Sequence, residues 1–253
     1  MIVLLSGEGS SDLGQCSNAQ GECRSPEFVH GPMTLLVDRV VGDRLQYSLL
    51  DVPGSYVYLA EKRLQEREEA RRQERNRVSF VGKKRGQETG NFYINAWMLG
   101  EEAIRLRQNT GDDVIAILFR DCDGTRSAVK GIWDQKMAAI AGGFARSGLG
   151  ELGVPMVPKP KSEAWMLCAA RPVPYVNCSA LEDRSGNDNS PRNLKDELSE
   201  ALGGGSTRQD QVDWLEAHGF DQAAVAAQMS SFGAFKGRLE AALAIVMGGH
   251  RCD

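Results

Sequence analysis

The feature that most constrains the fold is a continuously apolar segment, Val114–Phe119, which ends abruptly in Arg120, Asp121, Cys122 and Asp123. An unbroken apolar run of this length is typical of a strand buried on both faces, as in a parallel sheet. A shorter aliphatic run at 2–5 predicts a second such strand. Because strand-like segments alternate with helical patterns along the chain, we predict an α/β domain with a mostly parallel sheet flanked by helices.

Periodicity and charge divide the chain into two predicted parts. Residues 1–175 are expected to form the α/β domain, and residues 176–253 a helical C-terminal part. Within the first part, residues 44–88 are a predicted insertion with a charged helical arm, because residues 60–77 carry few apolar side chains.

The overall charge and the apolar pattern exclude several classes of protein. With 30 basic and 34 acidic residues, the net charge is −4, so no global positive charge indicates a nucleic-acid partner. No apolar run reaches the roughly 18 residues of a membrane span. The first residues lack the basic region of a signal peptide. We therefore expect a cytoplasmic protein that makes no membrane contact.

Cysteine spacing argues against covalent or metal cross-links. The six cysteines form no Cys-x-x-Cys pair, and the three histidines lie near none of them at a zinc spacing. Unpaired thiols are the expected state in a chain without an export signal. We therefore expect neither a structural zinc site nor a disulfide framework.

Acidic residues follow three of the predicted strands. Glu8 and Asp12 follow the first, Asp121 and Asp123 follow Val114–Phe119, and Glu163 follows a short strand near 154–157. Carboxyl ends of parallel strands share one sheet edge, where open α/β sheets bind ligands. Carboxylate oxygens there would suit Mg²⁺ or Mn²⁺. Each motif alone also fits a solvated loop or a helix cap.

The order of these acids resembles the TOPRIM domain of topoisomerases, primases and the overcoming-lysogenization-defect nucleases. In that family a Glu after the first strand and an Asp-x-Asp after a later strand hold divalent metal, a pattern matched by Glu8, Asp121 and Asp123. The nuclease branch adds a second acid soon after the first, which Asp12 matches. The segments at 162–166, 190–195 and 230–235 resemble small stand-alone TOPRIM-like proteins of bacterial defence and restriction loci.

This resemblance implies a TOPRIM-like fold and Mg²⁺- or Mn²⁺-dependent cleavage of phosphodiester bonds in DNA or RNA. Glu8, Asp121 and Asp123 would be catalytic, and together with Asp12 and Glu163 they would hold the cation. The implied setting is an anti-phage defence or restriction system with a partner ATPase. The chain has no G-x-x-x-x-G-K-[ST] motif, so the ATPase would be a separate subunit.

Two other hypotheses remain open at this point. The segment 118–125 also resembles the phosphatase motif of the haloacid dehalogenase superfamily, in which the first Asp accepts a phosphoryl group. That motif normally opens its domain, whereas about half of this chain precedes Asp121, and Arg126 replaces an aliphatic residue. The other hypothesis is a non-catalytic subunit with a degenerate TOPRIM fold that binds nucleic acid or the ATPase.

The charged arm predicts an electrostatic contact with nucleic acid. Residues 61–85 contain ten basic and five acidic residues. Four arginines at successive i, i+4 positions would form one row on a helix. The predicted phosphate contacts are Arg63, Arg67, Arg71, Arg75, Lys83, Lys84, Arg85 and Lys161. A solvated, salt-bridged helix or a protein-docking face is the alternative interpretation.

Overall fold

The computed structural model describes residues 1–74, 90–122 and 131–249. Five of the residues that the sequence analysis selected lie outside these ranges: Arg75, Lys83, Lys84, Arg85 and Asp123. The strands are β1 Ile2–Gly7, β2 Gly14–Cys16, β3 Glu22–Arg24, β4 Phe28–His30, β5 Tyr56–Leu59, β6 Val114–Phe119 and β7 Gly153–Met156. The α-helices are α1 Pro32–Leu45, α2 Glu61–Glu74, α3 Gly90–Thr110, α4 Ile132–Ser147, α5 Ser162–Ala170, α6 Ser179–Glu182, α7 Leu194–Ala201, α8 Arg208–His218, α9 Gln222–Gln228 and α10 Ser230–Gly249.

Five strands form the central sheet in the order β3-β5-β1-β6-β7. The pairs β1–β5, β1–β6 and β6–β7 are parallel, whereas β3 runs antiparallel to β5 at one edge. All residues of β1 and β6 are buried, as their unbroken apolar sequences require. The predicted α/β class and the mostly parallel sheet flanked by helices are therefore confirmed.

The strand order places a topological switch point between β1 and β6. From β1 the chain moves outward to β5 and then returns across β1 to form β6. Because parallel crossovers are right-handed, the two connections run over opposite faces of the sheet. Ligand sites of open α/β sheets lie beyond the carboxyl ends of the strands at such a point.

Helices pack on the sheet in two groups. On one side α3 contacts α4 and β6, and Gly143 allows this approach, since a Cβ there would lie 2.3 Å from the carbonyl oxygen of Tyr93. In the other group α1 contacts α8 and α10, and α10 also contacts β7. The helices that follow residue 176 therefore cover part of the sheet domain.

Two boundaries inferred from the sequence need correction. The range 44–88, taken as an insertion, contains β5, which pairs with β1 in the centre of the sheet. Residues 13–25 are rich in Gly and Ser, which predicts a loop, but they contain β2 and β3. Strands of three or four residues are too short to show the alternation by which strands are recognised in sequence.

The expectation of unpaired thiols is wrong for four cysteines. Cys16 pairs with Cys23, and Cys168 pairs with Cys178, in two disulfides. Their Cα atoms lie 5.6 Å and 5.3 Å apart, within the range that a disulfide spans. Cysteine spacing and the expected compartment do not decide pairing, because pairing depends on which residues the fold brings together.

None of the described helices combines the length and the apolar character needed to cross a membrane.

Candidate metal centre at the carboxyl edge of the sheet

Glu8 and Asp121 meet at the switch point because they follow β1 and β6, which are neighbouring strands. The backbone N–H of Asp121 donates to Oε1 of Glu8 at 3.0 Å. Nη1 of Arg120 donates to Oε2 of the same carboxylate at 2.8 Å. Both oxygens of Glu8 are thus held in place by residues at the end of β6.

Ser162 donates hydrogen bonds to carboxylates in the loops that follow β1 and β6. This serine is the first residue of α5 and is buried. Its backbone N–H donates to Oδ1 of Asp121 at 3.0 Å, and its Oγ donates to Oδ1 of Asp12 at 2.5 Å. Asp12 and Asp121 therefore each accept a hydrogen bond from Ser162, and this residue holds the two carboxylates near each other. Ser162 is not among the site residues predicted from the sequence, so this role was missed.

The turn between Glu8 and Asp12 requires glycine at position 9. Gly9 has φ +81°, a left-handed conformation that favours glycine. A Cβ at this position would lie 2.6 Å from Oδ2 of Asp12. The absence of a side chain at Gly9 therefore allows the Asp12 carboxylate to fold back beside the end of β1.

Glu163 lies partly buried beside this cluster. Burial is the main cause that raises the pKa of the Glu163 carboxyl, and the negative charge of Asp12 adds to the effect. A backbone hydrogen bond and the charge of Lys161 act in the opposite direction. Glu163 is therefore close enough to Asp12 for their charges to interact.

Lys161, a predicted phosphate contact, donates to Oδ1 of Asp188 at 2.7 Å.

Arg120 links the carboxyl ends of three neighbouring strands, and sequence reasoning missed its role. It follows β6, and its guanidinium donates to Glu8 after β1 and to Glu61 after β5. The ring of Phe92 lies 5.4 Å from the guanidinium carbon. A basic residue directly after a fully apolar strand is the signal that could have identified it.

The donor chemistry of this edge fits a hard divalent cation. Among the residues that the structure describes, no group of three or more His, Cys, Asp or Glu side chains is arranged to hold a metal ion. The predicted ligand Asp123 lies outside the described residues. The predicted ligands that are described, Glu8, Asp12, Asp121 and Glu163, all offer carboxylate oxygens, which Mg²⁺ and Mn²⁺ prefer.

Two arginines of the α2 row, Arg67 and Arg71, pair with glutamates of α3. Arg67 forms an ion pair with Glu102, and Arg71 donates to Oε2 of Glu101 at 2.6 Å. The guanidinium of Arg71 also lies 4.8 Å from the ring centre of Trp97. Burial lowers the pKa of Arg67, and the charge of Glu102 opposes this change. For Arg67 and Arg71, the salt-bridged helix is the arrangement observed.

Arg63, the first member of the row, has a local partner. Its Nη1 donates to Oε2 of Glu66 at 2.6 Å, one turn further along α2. Its side chain is 40% exposed. Of the described arginines in the row, Arg63 is therefore the most accessible to a partner molecule.

Comparisons with protein-family models, with curated protein sequences and with solved structures gave no significant match.

Proposed function

We propose that this protein is a TOPRIM-like, Mg²⁺- or Mn²⁺-dependent nuclease that cleaves phosphodiester bonds in DNA or RNA. The observation that carries the proposal is the contact between Glu8 and Asp121 at the switch point, with Asp12 joined to Asp121 through Ser162. These contacts support the proposal because they join acids whose order in the sequence resembles that of the TOPRIM family. The resemblance alone supports the further proposal of a defence or restriction system with a partner ATPase.

Different side chains have different roles in the proposed site. Glu8, Asp121 and Asp123 would hold the cation, with Asp12 and Glu163 beside them. A bound Mg²⁺ or Mn²⁺ would polarise the phosphate and lower the pKa of an attacking water. Glu8 has a side chain that is 39% exposed, so its carboxylate can reach solvent and accept a proton from that water. Ser162 orients Asp12 and Asp121 and takes no part in proton transfer.

The test is cleavage of labelled single- and double-stranded DNA and RNA with Mg²⁺ or Mn²⁺. Glu8→Gln and Asp121→Asn should each lower the cleavage rate by about 100-fold or more, because each removes a charged group that the reaction needs. Glu151→Gln is the matched control, since Glu151 pairs with Arg238 on the surface and its side chain is 64% exposed. Wild-type cleavage in Glu8→Gln would contradict the proposal.

Small phosphomonoesters distinguish the nuclease from the phosphatase hypothesis. A haloacid dehalogenase-like enzyme would hydrolyse them through a phosphoryl group on Asp121, with no requirement for Glu8. The proposed nuclease should leave them intact. Robust phosphomonoester turnover that survives Glu8→Gln would therefore replace the proposal with the phosphatase hypothesis.

A non-catalytic subunit would give a third pattern. It would bind nucleic acid or the ATPase without cleavage, and its binding would tolerate Asp121→Asn with or without a divalent cation. Nucleic-acid binding of that kind, with no cleavage of any of the four substrates, would contradict the catalytic proposal.

A further inference from the structure

Two carboxylates share a single guanidinium at the carboxyl edge of the sheet. Arg120 donates through Nη1 to Oε2 of Glu8 at 2.8 Å and through Nη2 to Oε1 of Glu61. The side chain of Arg120 is 9% exposed, against 39% for Glu8 and 30% for Glu61. Arg120 is thus the most enclosed member of the group, and Glu8 is the member with the freest access to solvent.

Glu61 can hold Arg120 without help from Glu8. Nδ2 of Asn95, on α3, donates to Oε1 of Glu61 at 3.1 Å and fixes this carboxylate from a second helix. The Phe92 ring lies 5.4 Å from the guanidinium carbon, within the range of a cation–π contact. These contacts would keep the guanidinium in place if Glu8 turned toward another cation.

The guanidinium gains little from other acceptors. Among the described residues, Nε of Arg120 is buried without a hydrogen-bond partner. The nearby ammonium group of Lys136 lies 4.8 Å from the Phe92 ring centre and donates to the carbonyl oxygen of Cys122 at 2.8 Å. Within the part of the chain that the structure describes, Glu8 and Glu61 are the carboxylates that pair with Arg120.

We infer that Arg120 is the internal counter-ion of Glu8 and competes with a divalent cation for its carboxylate. This inference rests on the proposed cation site at Glu8 and Asp121. Without a cation, Arg120 neutralises Glu8 and keeps it pointed toward the end of β6. When a cation binds, Glu8 exchanges the guanidinium for the metal, and Arg120 remains with Glu61. The positive charge of Arg120 therefore weakens cation binding, because like charges at short distance repel.

The experiment is a titration of the full chain with Mn²⁺, with free Mn²⁺ measured by electron paramagnetic resonance at constant ionic strength. Arg120→Gln should bind Mn²⁺ about tenfold more tightly, which corresponds to about 1.4 kcal/mol. Arg120→Lys keeps the charge and should stay near the wild-type affinity. The matched control is Arg238→Gln, which removes an arginine paired with Glu151 away from the site and should leave Mn²⁺ affinity unchanged.

Glu61→Gln provides a second test with the opposite sign. It deprives Arg120 of its other carboxylate, so the guanidinium should bind Glu8 more strongly and Mn²⁺ affinity should fall several-fold. If Arg120→Gln fails to fold, this variant still tests the inference, because unchanged or tighter binding would contradict it. A purely structural or orienting role for Arg120 predicts weaker Mn²⁺ binding in Arg120→Gln, so the sign of that change separates the two roles.

The outcomes separate this inference from the proposed function. Unchanged or weaker Mn²⁺ binding by folded Arg120→Gln would overturn the inference, and so would unchanged or tighter binding by Glu61→Gln. The proposed site itself is tested by Asp121→Asn, which should lose Mn²⁺ affinity whatever the role of Arg120. Equal affinities in the wild type and Asp121→Asn, or no Mn²⁺ binding at all, would overturn the site and the inference together.

Discussion

The carboxyl edge of the sheet and the α2–α3 contact both contain ionised side chains, but their charges are balanced differently. Arg67 and Arg71 of α2 pair with Glu102 and Glu101 of α3, and Arg105 of α3 pairs with Glu102 within its own helix. At the sheet edge, Glu8 and Glu61 share one arginine. Two further carboxylates at that edge accept hydrogen bonds from one serine.

The two regions differ in the groups that donate to their carboxylates. Arg67, Arg71 and Arg105 pair with two glutamates of α3, so these pairs are compensated within the fold. At the sheet edge, Ser162 and the backbone N–H of Asp121 donate to carboxylates beside the pairs of Arg120. Carboxylates that converge at one sheet edge are typical of sites that bind a cation or perform chemistry, and the proposed site lies there for this reason.

Exchanging one glutamate in each region for glutamine should produce the largest contrast. Glu8→Gln should lower nuclease activity by about 100-fold or more, well beyond any loss of stability. Glu102→Gln should leave activity unchanged but lower the free energy of unfolding by about 1–3 kcal/mol, because two arginines lose a charged hydrogen-bond acceptor. Cleavage assays and urea unfolding measure the two effects. If both variants lose activity only in proportion to their stability, the two regions do not differ in function.

Removing the serine that joins two carboxylates should weaken cation binding. Ser162→Ala deletes the donor to Asp12, and Mn²⁺ affinity should fall by about 10- to 100-fold, as it does when partners of metal ligands are removed. Ser231→Ala is the matched control, because its buried Oγ accepts a hydrogen bond from Nε1 of Trp165 at 2.8 Å in another part of the fold. Calorimetric titration with Mn²⁺ compares the two variants. Equal losses would show that the Ser162 hydroxyl supports the fold rather than the site.

The arginines of α2 should matter for stability more than for nucleic-acid binding. Replacing Arg67 and Arg71 together by Gln should lower the free energy of unfolding by about 1–2 kcal/mol, because both pairs with α3 are partly buried. The salt dependence of polynucleotide binding should stay the same, since these charges already have partners within the chain. A slope reduced by about one for each arginine would instead support direct phosphate contacts.

Acid should slightly weaken the ion pair between Arg184 and Glu197, which lies outside both regions. The hydrogen bond from Arg184 is the main cause that lowers the pKa of Glu197 below its ordinary value. A lowered pKa in the folded state stabilises the protein above the ordinary pKa, and this contribution is lost as the pH falls through the lower value. Arg184→Gln should therefore cost less than about 1 kcal/mol near neutral pH and still less near about pH 3. Urea unfolding at both pH values checks this, and a larger cost in acid would contradict it.

Much of the fold could be predicted from local sequence patterns. The apolar runs at 2–5 and Val114–Phe119 lie where the structure places β1 and β6. The position of Glu8 and Asp121 at one sheet edge followed from a topological argument, because both residues come directly after buried parallel strands. Local patterns suffice in these cases because burial on both faces leaves an unambiguous apolar sequence.

Contacts between distant residues could be decided only by the tertiary structure. Ser162 lies 150 positions from Asp12, and Arg120 lies 59 positions from Glu61, so no local pattern links either pair. The same holds for the direction of the arginine row, because i, i+4 spacing defines a face of α2 but not what covers it. Sequence alone determined the two long buried strands, β1 and β6, and which loops carry acids. Packing of α2 on α3, and of α5 beside the ends of β1 and β6, determined which arginines pair with glutamates and which carboxylates meet at the sheet edge.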